Sequence, residues 1–118
     1  MVRTHKDLDV WKKSISFVTS IYKATKQFPK EELYGLVSQI RRASVSIPSN
    51  IAEGAVRKGK AEFRQFLFIS LSSAAEVNTQ LIISRNLGFI KENDFVKLIS
   101  ELNSISKMTQ GLIKSIDK

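Results

Sequence analysis

The sequence predicts an all-α protein, an antiparallel up-down-up-down four-helix bundle whose second helix is kinked at Pro48. Three observations lead to this fold class. Apolar residues recur in steps of three and four through almost the whole chain, no strand-like alternation competes with them, and Pro29, Gly59 and Gly88 divide the pattern into four segments. With 118 residues, 42% of them hydrophobic, the chain is large enough for one core. Residues 1–118 are therefore predicted to form a single domain.

Helix 1 is predicted to run from Asp7 to Gln27, ending before Phe28–Pro29 because proline disfavours helical geometry in the residue before it. The stripe predicted to face the core consists of Leu8, Trp11, Ile15, Val18 and Tyr22. A second apolar set projects well over 90° away from that stripe, at ~100° per residue, and consists of Val10, Phe17 and Ile21. One bundle interior does not easily bury both sides of a helix, so the second set is predicted to form a subunit interface.

Helix 2 is predicted to run from Lys30 to Arg57, with Glu31 and Glu32 near its positive dipole end. Its predicted core stripe keeps its phase across Pro48, which indicates one continuous, kinked helix. The stripe consists of Leu33, Val37, Ile40, Ser44, Ile47, Ile51 and Ala55. Three further apolar residues lie off this stripe and are assigned to the same predicted interface: Val45, Ala52 and Val56. The alternative is a broad core stripe with scattered apolar residues on the surface.

Helices 3 and 4 are predicted over residues 60–86 and 92–116. Gly59 precedes helix 3, and Gly88 follows it as a residue that can adopt the left-handed cap conformation. The predicted core stripe of helix 3 is Phe63, Leu67, Ser70, Ala74, Val77 and Leu81. That of helix 4 is Phe95, Leu98, Leu102, Ile105, Thr109, Leu112 and Ile116.

The run from Ile47 to Gly54 contains residues that a helix interior disfavours. Proline costs ~3 kcal/mol and glycine roughly 1 kcal/mol relative to alanine, so a specific contact must offset them. Gly54 is predicted to let a neighbouring backbone approach closely, and Asn50 to make a satisfied polar contact at the core edge. Glu53 is placed to pair with Arg57 four residues later. The run Pro48, Asn50, Glu53 and Gly54 is therefore interpreted as a structural motif.

Charge points to a polyanionic partner. The net charge is +8, and residues 1–64 hold thirteen basic against six acidic residues, whereas residues 65–118 hold six against five. The predicted nucleic-acid-binding residues are Arg41, Arg42, Arg57, Lys58, Lys60 and Arg64. No aromatic residue is interleaved with them, since Phe63 and Phe66 fit the core. Binding would thus follow backbone charge or shape rather than base sequence. The alternative is a solvated helix end whose charge serves solubility.

Catalytic constellations are scarce. Cysteine is absent and His5 is the one histidine, so no thiolate metal site is possible and nothing supports serine–histidine catalysis. A metal-dependent nuclease would require Glu53, Glu62 and Glu76 to converge on one ion. We therefore predict no enzyme activity, no cofactor and no metal. The charged start and the lack of an apolar run near 20 residues favour a cytoplasmic protein without a membrane segment.

Several segments carry a family resemblance. They are Asp7-Leu8-Asp9-Val10-Trp11, the span from Gly35 to Ala43, the span from Ser46 to Gly54, and Glu62-Phe63 with Phe66-Leu67. Together they resemble the four-helix-bundle proteins encoded in intervening sequences of 23S ribosomal RNA genes. A relative is the accessory variability determinant protein of diversity-generating retroelements, a ring-like pentamer that works with nucleic acid and a reverse transcriptase. One departure is Ser72-Ser73-Ala74-Ala75-Glu76-Val77-Asn78, where the family often has Gly-Ser-x-x-Glu-Leu-Glu.

The resemblance implies a four-helix bundle and a cyclic homo-oligomer, with a pentamer as the expected state. It implies no catalytic residues. The leading hypothesis is a non-enzymatic, cytoplasmic, oligomeric adapter that binds RNA or DNA, with a reverse transcriptase or another protein as a further partner. The alternatives are a protein-binding or structural homo-oligomer with no nucleic-acid role and, third, an RNA-processing enzyme.

Overall fold

The computed structural model describes residues 5–117, and within this range the chain is helical with no β-strand. Its long helices are α1 (Asp9–Thr25), α2 (Leu36–Ala55), α3 (Lys60–Asn86) and α4 (Glu92–Ile116). Short 3-10 helices at His5–Asp7 and Lys30–Glu32 precede α1 and α2. The predicted all-α four-helix bundle is confirmed.

Each long helix packs against the next one along the chain, and α1 also packs against α4. Along α2 and α3 the contacts progress in opposite directions, since Ser46 meets Ser73, Ile47 meets Ser70, and Gly54 lies against Phe66. The up-down-up-down order of the whole bundle and a kink at Pro48 stay predictions. Helix α2 nevertheless continues through Pro48 without a break.

The face of α1 that packs into the bundle is the opposite of the predicted one. Val10, Phe17 and Ile21 are buried in the core of the single chain, the last two with 0% exposure. Their assignment to a subunit interface is therefore wrong. The predicted core stripe faces outward at Ile15 and Tyr22, which are 41% and 39% exposed. The buried face reads Val10, Ser14, Phe17, Ile21 and Thr25.

Two buried hydroxyl residues explain why α1 is mispredicted. Ser14 Oγ donates to the carbonyl oxygen of Trp11 at 2.8 Å, and Thr25 Oγ1 donates to that of Ile21 at 2.7 Å. Because the helix's own backbone satisfies both hydroxyls, they enter the core without an unpaired polar group. The true core stripe thus contains two polar residues and looks weaker in the sequence than the apolar outer stripe.

Helix α2 begins later than predicted. Lys30–Glu32 forms a separate 3-10 helix, and a turn over residues 33–35 follows before α2 starts at Leu36. Leu33 lies in that turn and is 46% exposed, so it does not belong to the core. The bounds of α3 and α4 match the predicted ranges. Gly88 has φ +76°, and Phe89 N–H donates to Ser84 O at 2.9 Å, which is the glycine-based cap expected after α3.

Helix α3 meets a length and composition criterion for a membrane span. Among the helices within residues 5–117, it is long and apolar enough to cross a membrane by that criterion, and the predicted lack of a membrane segment stays a prediction. Core helices of soluble proteins meet the same criterion, and 39% of the apolar stretch of α3 is buried inside this bundle. Phe68, Ile69 and Ile83 are nonetheless exposed on its outer side.

Candidate nucleic-acid interface

Four of the predicted binding residues lie at the connection between α2 and α3, which we call the basic turn: Arg57, Lys58, Lys60 and Arg64. The connection is short because α2 ends at Ala55 and α3 begins at Lys60. Gly59 precedes α3 with φ −101° and ψ 144°, and no side chain at that position caps the helix. The first N–H groups of α3 therefore lie next to Lys58 and Lys60, and a helix amino end attracts anions.

Two arginines of the basic turn already have carboxylate partners. Arg57 Nη2 lies 3.2 Å from Glu53 Oε2, which is the predicted i to i+4 pair, and its Nη1 lies 4.0 Å from Glu62. Arg64 Nη1 lies 2.5 Å from Asp117 Oδ1 at the end of α4. These pairs are about half-exposed and add little stability. They do reduce the charge that Arg57 and Arg64 offer to a phosphate.

Arg41 makes contacts within the fold and is not free to bind a ligand. Its Nε donates to Thr25 Oγ1 at 3.0 Å, and one Nη donates to the carbonyl oxygen of Tyr22 at 3.4 Å. The guanidinium carbon also lies 4.5 Å from the centre of the Tyr22 ring. Arg41 thus fastens α2 to the carboxyl end of α1. Arg41 and Arg42 lie about four helical turns before Arg57, which follows the end of α2, so the structure does not unite the six predicted residues in one site.

Three of the six predicted residues remain available to a ligand. Arg42, Lys58 and Lys60 are exposed, and no hydrogen bond or ion pair joins their side chains to another group in residues 5–117. They fall into two places, the basic turn and the amino-terminal half of α2. The predicted charge cluster is therefore reduced to two smaller sets of free cations.

The Pro48–Gly54 motif has a packing role. Asn50 Nδ2 donates to the carbonyl oxygen and to Oγ of Ser46, each at 2.8 Å, and Ser46 Oγ lies 2.8 Å from Ser73 Oγ on α3. A Cβ atom at Gly54 would lie 2.7 Å from Cβ of Phe66. The close approach expected at Gly54 is present, and the Asn50 amide joins α2 to α3 through Ser46.

A polar groove between α2 and α3 contains the free Arg42. Its volume is about 480 Å³. The groove is lined by Tyr34, Gly35, Ser38, Gln39, Arg42, Ala43, Ser46, Ser73 and Glu76. Tyr34 is 92% exposed, the largest exposure among the exposed hydrophobic residues. Sequence reasoning missed this residue. The sequence feature that could have identified Tyr34 as exposed is its position: it precedes Gly35 directly and does not belong to the Leu33–Val37 apolar stripe.

A second groove, the apolar groove, lies between the outer sides of α1 and α2. It has a volume of about 360 Å³ and is lined by His5, Trp11, Ile15, Val18, Thr19, Val45, Pro48, Ser49 and Ala52. His5 packs edge-on against the Trp11 ring with the centroids 5.0 Å apart. Two of the predicted interface residues of α2, Val45 and Ala52, line this groove. Val56 is 64% exposed further along the same helix.

The acidic residues considered for metal binding do not meet. Glu53 and Glu62 both contact Arg57, whereas Glu76 lies almost four turns further along α3, about 21 Å from Glu62. Within the described residues, no group of three or more His, Asp or Glu side chains could hold a metal ion. Glu76 instead accepts a hydrogen bond from Gln80 Nε2 at 3.3 Å.

These features define the class of protein: a basic four-helix bundle in which α2 and α3 are tightly packed and exposed grooves lie on either side of α2. A family model described as 23S rRNA-intervening sequence protein matches residues 6–111, and the chain belongs to that family. Its fold is similar to the crystal structure of a protein of unknown function from the S23 ribosomal protein family of Bacteroides thetaiotaomicron. The two are 25% identical with a TM-score of 0.83, over 89% of this chain and 98% of the other. No curated protein matches the chain.

Proposed function

We propose that this protein is a non-enzymatic, oligomeric, cytoplasmic adapter that binds RNA or DNA through backbone phosphates. The observation that carries the proposal is the set of exposed cations without a carboxylate partner, Arg42, Lys58 and Lys60, in a chain of net charge +8. Lys58 and Lys60 lie beside the uncapped amino end of α3, where amide dipoles add to their attraction for phosphate. The scattered carboxylates support the non-enzymatic part of the proposal.

Self-assembly through the apolar groove is the second part of the proposal. Trp11 and Ile15 of α1 and Val45 of α2 form an apolar surface that the single chain leaves partly exposed. A contiguous exposed apolar surface is typical of a protein–protein contact. The family resemblance implies a pentamer as the assembled state. A ring would repeat the free cations and raise the affinity for long strands above that for short ones.

The test is the salt dependence of binding to fluorescein-labelled single-stranded RNA, measured by anisotropy. Three free cations per subunit predict a slope of about −2 in log affinity against log salt for each subunit that engages the strand. Lys58→Glu with Lys60→Glu should weaken binding strongly, because it replaces two of the three free cations by carboxylates that repel phosphate. The matched control is Lys107→Glu with Lys114→Glu on α4, which changes the net charge by the same amount and should bind measurably more tightly than the turn variant.

Two results would contradict the proposal. Equal losses in the two double variants would show that binding depends on overall charge rather than on the basic turn. Absence of RNA and DNA binding by the parent at ~50 mM salt, where electrostatic attraction is strong, would favour a homo-oligomer with no nucleic-acid role. That second candidate is favoured by one observation, namely that Arg41, Arg57 and Arg64 already have partners within the same chain.

A further inference from the structure

We propose that the polar groove between α2 and α3 binds one nucleotide of a single-stranded nucleic acid, with the base stacked on Tyr34 and the phosphate bound by Arg42. This inference rests on the proposed nucleic-acid function and gives that function a second binding place away from the basic turn. It also reverses an expectation from the sequence, in which no aromatic residue was available to stack a base.

Tyr34 has the position that a stacking residue requires. It lies in the turn between the Lys30–Glu32 3-10 helix and α2, at the rim of the groove, and 92% of its surface is exposed. An aromatic ring of this size normally buries a large part of its apolar surface. A solvent-exposed ring in a groove that also holds a cation is the combination that single-strand binding proteins use, because every base offers a face for stacking.

Arg42 differs from the adjacent Arg41 in a way that favours phosphate binding. The Arg41 guanidinium donates hydrogen bonds to Thr25 and to the Tyr22 carbonyl oxygen. Arg42 lines the polar groove without a partner in the described chain. A guanidinium group matches a phosphate with two parallel N–H donors. The two neighbouring arginines thus have different roles: Arg41 holds α1 to α2, and Arg42 is left to bind the ligand.

The opposite wall of the groove offers acceptors for the edge of a base. Glu76 lines the groove on α3, and its Oε2 accepts a hydrogen bond from Gln80 Nε2 at 3.3 Å, which restrains the carboxylate. Ser46 and Ser73 also line the groove, and their hydroxyl groups hydrogen-bond each other, with Ser46 Oγ accepting from Asn50 as well. A carboxylate repels phosphate but accepts from the exocyclic amino group of a base, so the phosphate belongs at Arg42 and the base edge towards Glu76.

Two further observations fit a ligand of this size and polarity. The groove volume of about 480 Å³ lies within the range of small-molecule sites, roughly 300–1,000 Å³. One turn beyond Glu76 and outside the groove lining, Gln80 is only 6% exposed, yet its Oε1 has no donor within residues 5–117. Buried acceptors without a donor are uncommon in native proteins, so this part of α3 has hydrogen-bonding capacity that the chain does not use.

The experiment compares two strands on the full-length protein by fluorescence anisotropy. One is a labelled oligo(A) RNA and the other an abasic sugar-phosphate strand of equal length. Tyr34→Ala should weaken oligo(A) binding by about 5- to 150-fold, the loss that one stacked base corresponds to, and leave the abasic strand unaffected. Tyr34→Phe, which keeps the ring, should restore the parent affinity. Arg42→Gln should weaken both strands and lower the salt slope by about 1.

The outcomes separate this inference from the proposed function. If the parent binds oligo(A) but Tyr34→Ala binds it equally well, the groove site is overturned while binding at the basic turn stands. If the parent binds neither strand at ~50 mM salt, the proposed function fails as well. If Tyr34→Ala lowers the assembled mass in light scattering without changing oligo(A) affinity, the groove is a subunit contact and the nucleotide site is refuted.

Discussion

Replacing Gly54 by alanine should destabilise the protein even though alanine is the better helix former. Gly54 lies in the last turn of α2, where a Cβ atom would meet Cβ of Phe66 at 2.7 Å, Cδ1 of Phe63 at 3.0 Å and O of Phe63 at 3.2 Å. Carbon atoms pack best at about 3.5–4.0 Å, so α2 and α3 would have to separate by about 1 Å at this point. Their contact is the most extensive one between two helices in the bundle.

The two opposing effects have known sizes. Alanine gains roughly 1 kcal/mol of helix propensity over glycine, whereas overpacking a tight contact costs about 1–3 kcal/mol. Because one of the clashing atoms belongs to the backbone of α3, we expect the steric cost to prevail by about 1–2 kcal/mol. That corresponds to a fall in melting temperature of about 4–8 °C in a chain of this length.

The matched control is Gly111→Ala, because Gly111 lies inside α4 and nothing is within 4 Å of the position of its Cβ. There the propensity gain is unopposed, and the free energy of unfolding should rise by about 0.5–1 kcal/mol. Both variants are compared with the parent by circular dichroism during urea and thermal unfolding. Protein concentrations must be equal, since assembly raises apparent stability by mass action. A Gly54→Ala protein as stable as Gly111→Ala would refute the close approach of α3.

Three further predictions address individual residues. Phe17→Lys should unfold the protein, because it places an unpaired charge at a site with 0% exposure. Ile15→Lys should keep the helical circular-dichroism spectrum and lower the assembled mass in light scattering. A folded Phe17→Lys protein would restore the sequence-based orientation of α1. Asn50→Ala should lower the free energy of unfolding by about 1–2 kcal/mol in urea titrations through loss of two hydrogen bonds, and no change would show that the amide is dispensable. Arg41→Ala should lower the melting temperature and Arg42→Ala should not, and the reverse order would contradict their assigned roles.

The sequence predicts α3 and α4 to the residue but misorients α1, and the difference has a physical cause. Gly59 and Gly88 mark the limits of α3 through backbone geometry, which depends on local residues alone. The orientation of α1 depends on which of two apolar faces the other helices cover. The buried face is hard to recognise in the sequence because it contains Ser14 and Thr25. These polar residues can be buried since their hydroxyl groups donate to the backbone of their own helix.

In the candidate site too, contacts between residues close in sequence could be predicted, and contacts between helices could not. The Glu53–Arg57 pair is four residues apart on one helix and could be predicted from spacing. Arg64 and Asp117 are 53 residues apart, and their contact exists only because α3 and α4 meet at that end of the bundle. The groove beside Tyr34 likewise requires α2 and α3 to lie side by side. Sequence patterns identify the cations, and tertiary contacts decide which of them stay free.

Assembly and nucleic-acid binding can be measured together by light scattering of the parent protein at ~50 mM salt, with and without a single-stranded RNA. An oligomeric nucleic-acid-binding adapter predicts a free mass several times the 13.3 kDa of one chain and an increase by the mass of the bound RNA. Raising the salt to ~500 mM should release the RNA while the assembly stays intact, because counterions compete with phosphate contacts but not with the apolar groove. A mass of 13.3 kDa that RNA does not change would contradict the account.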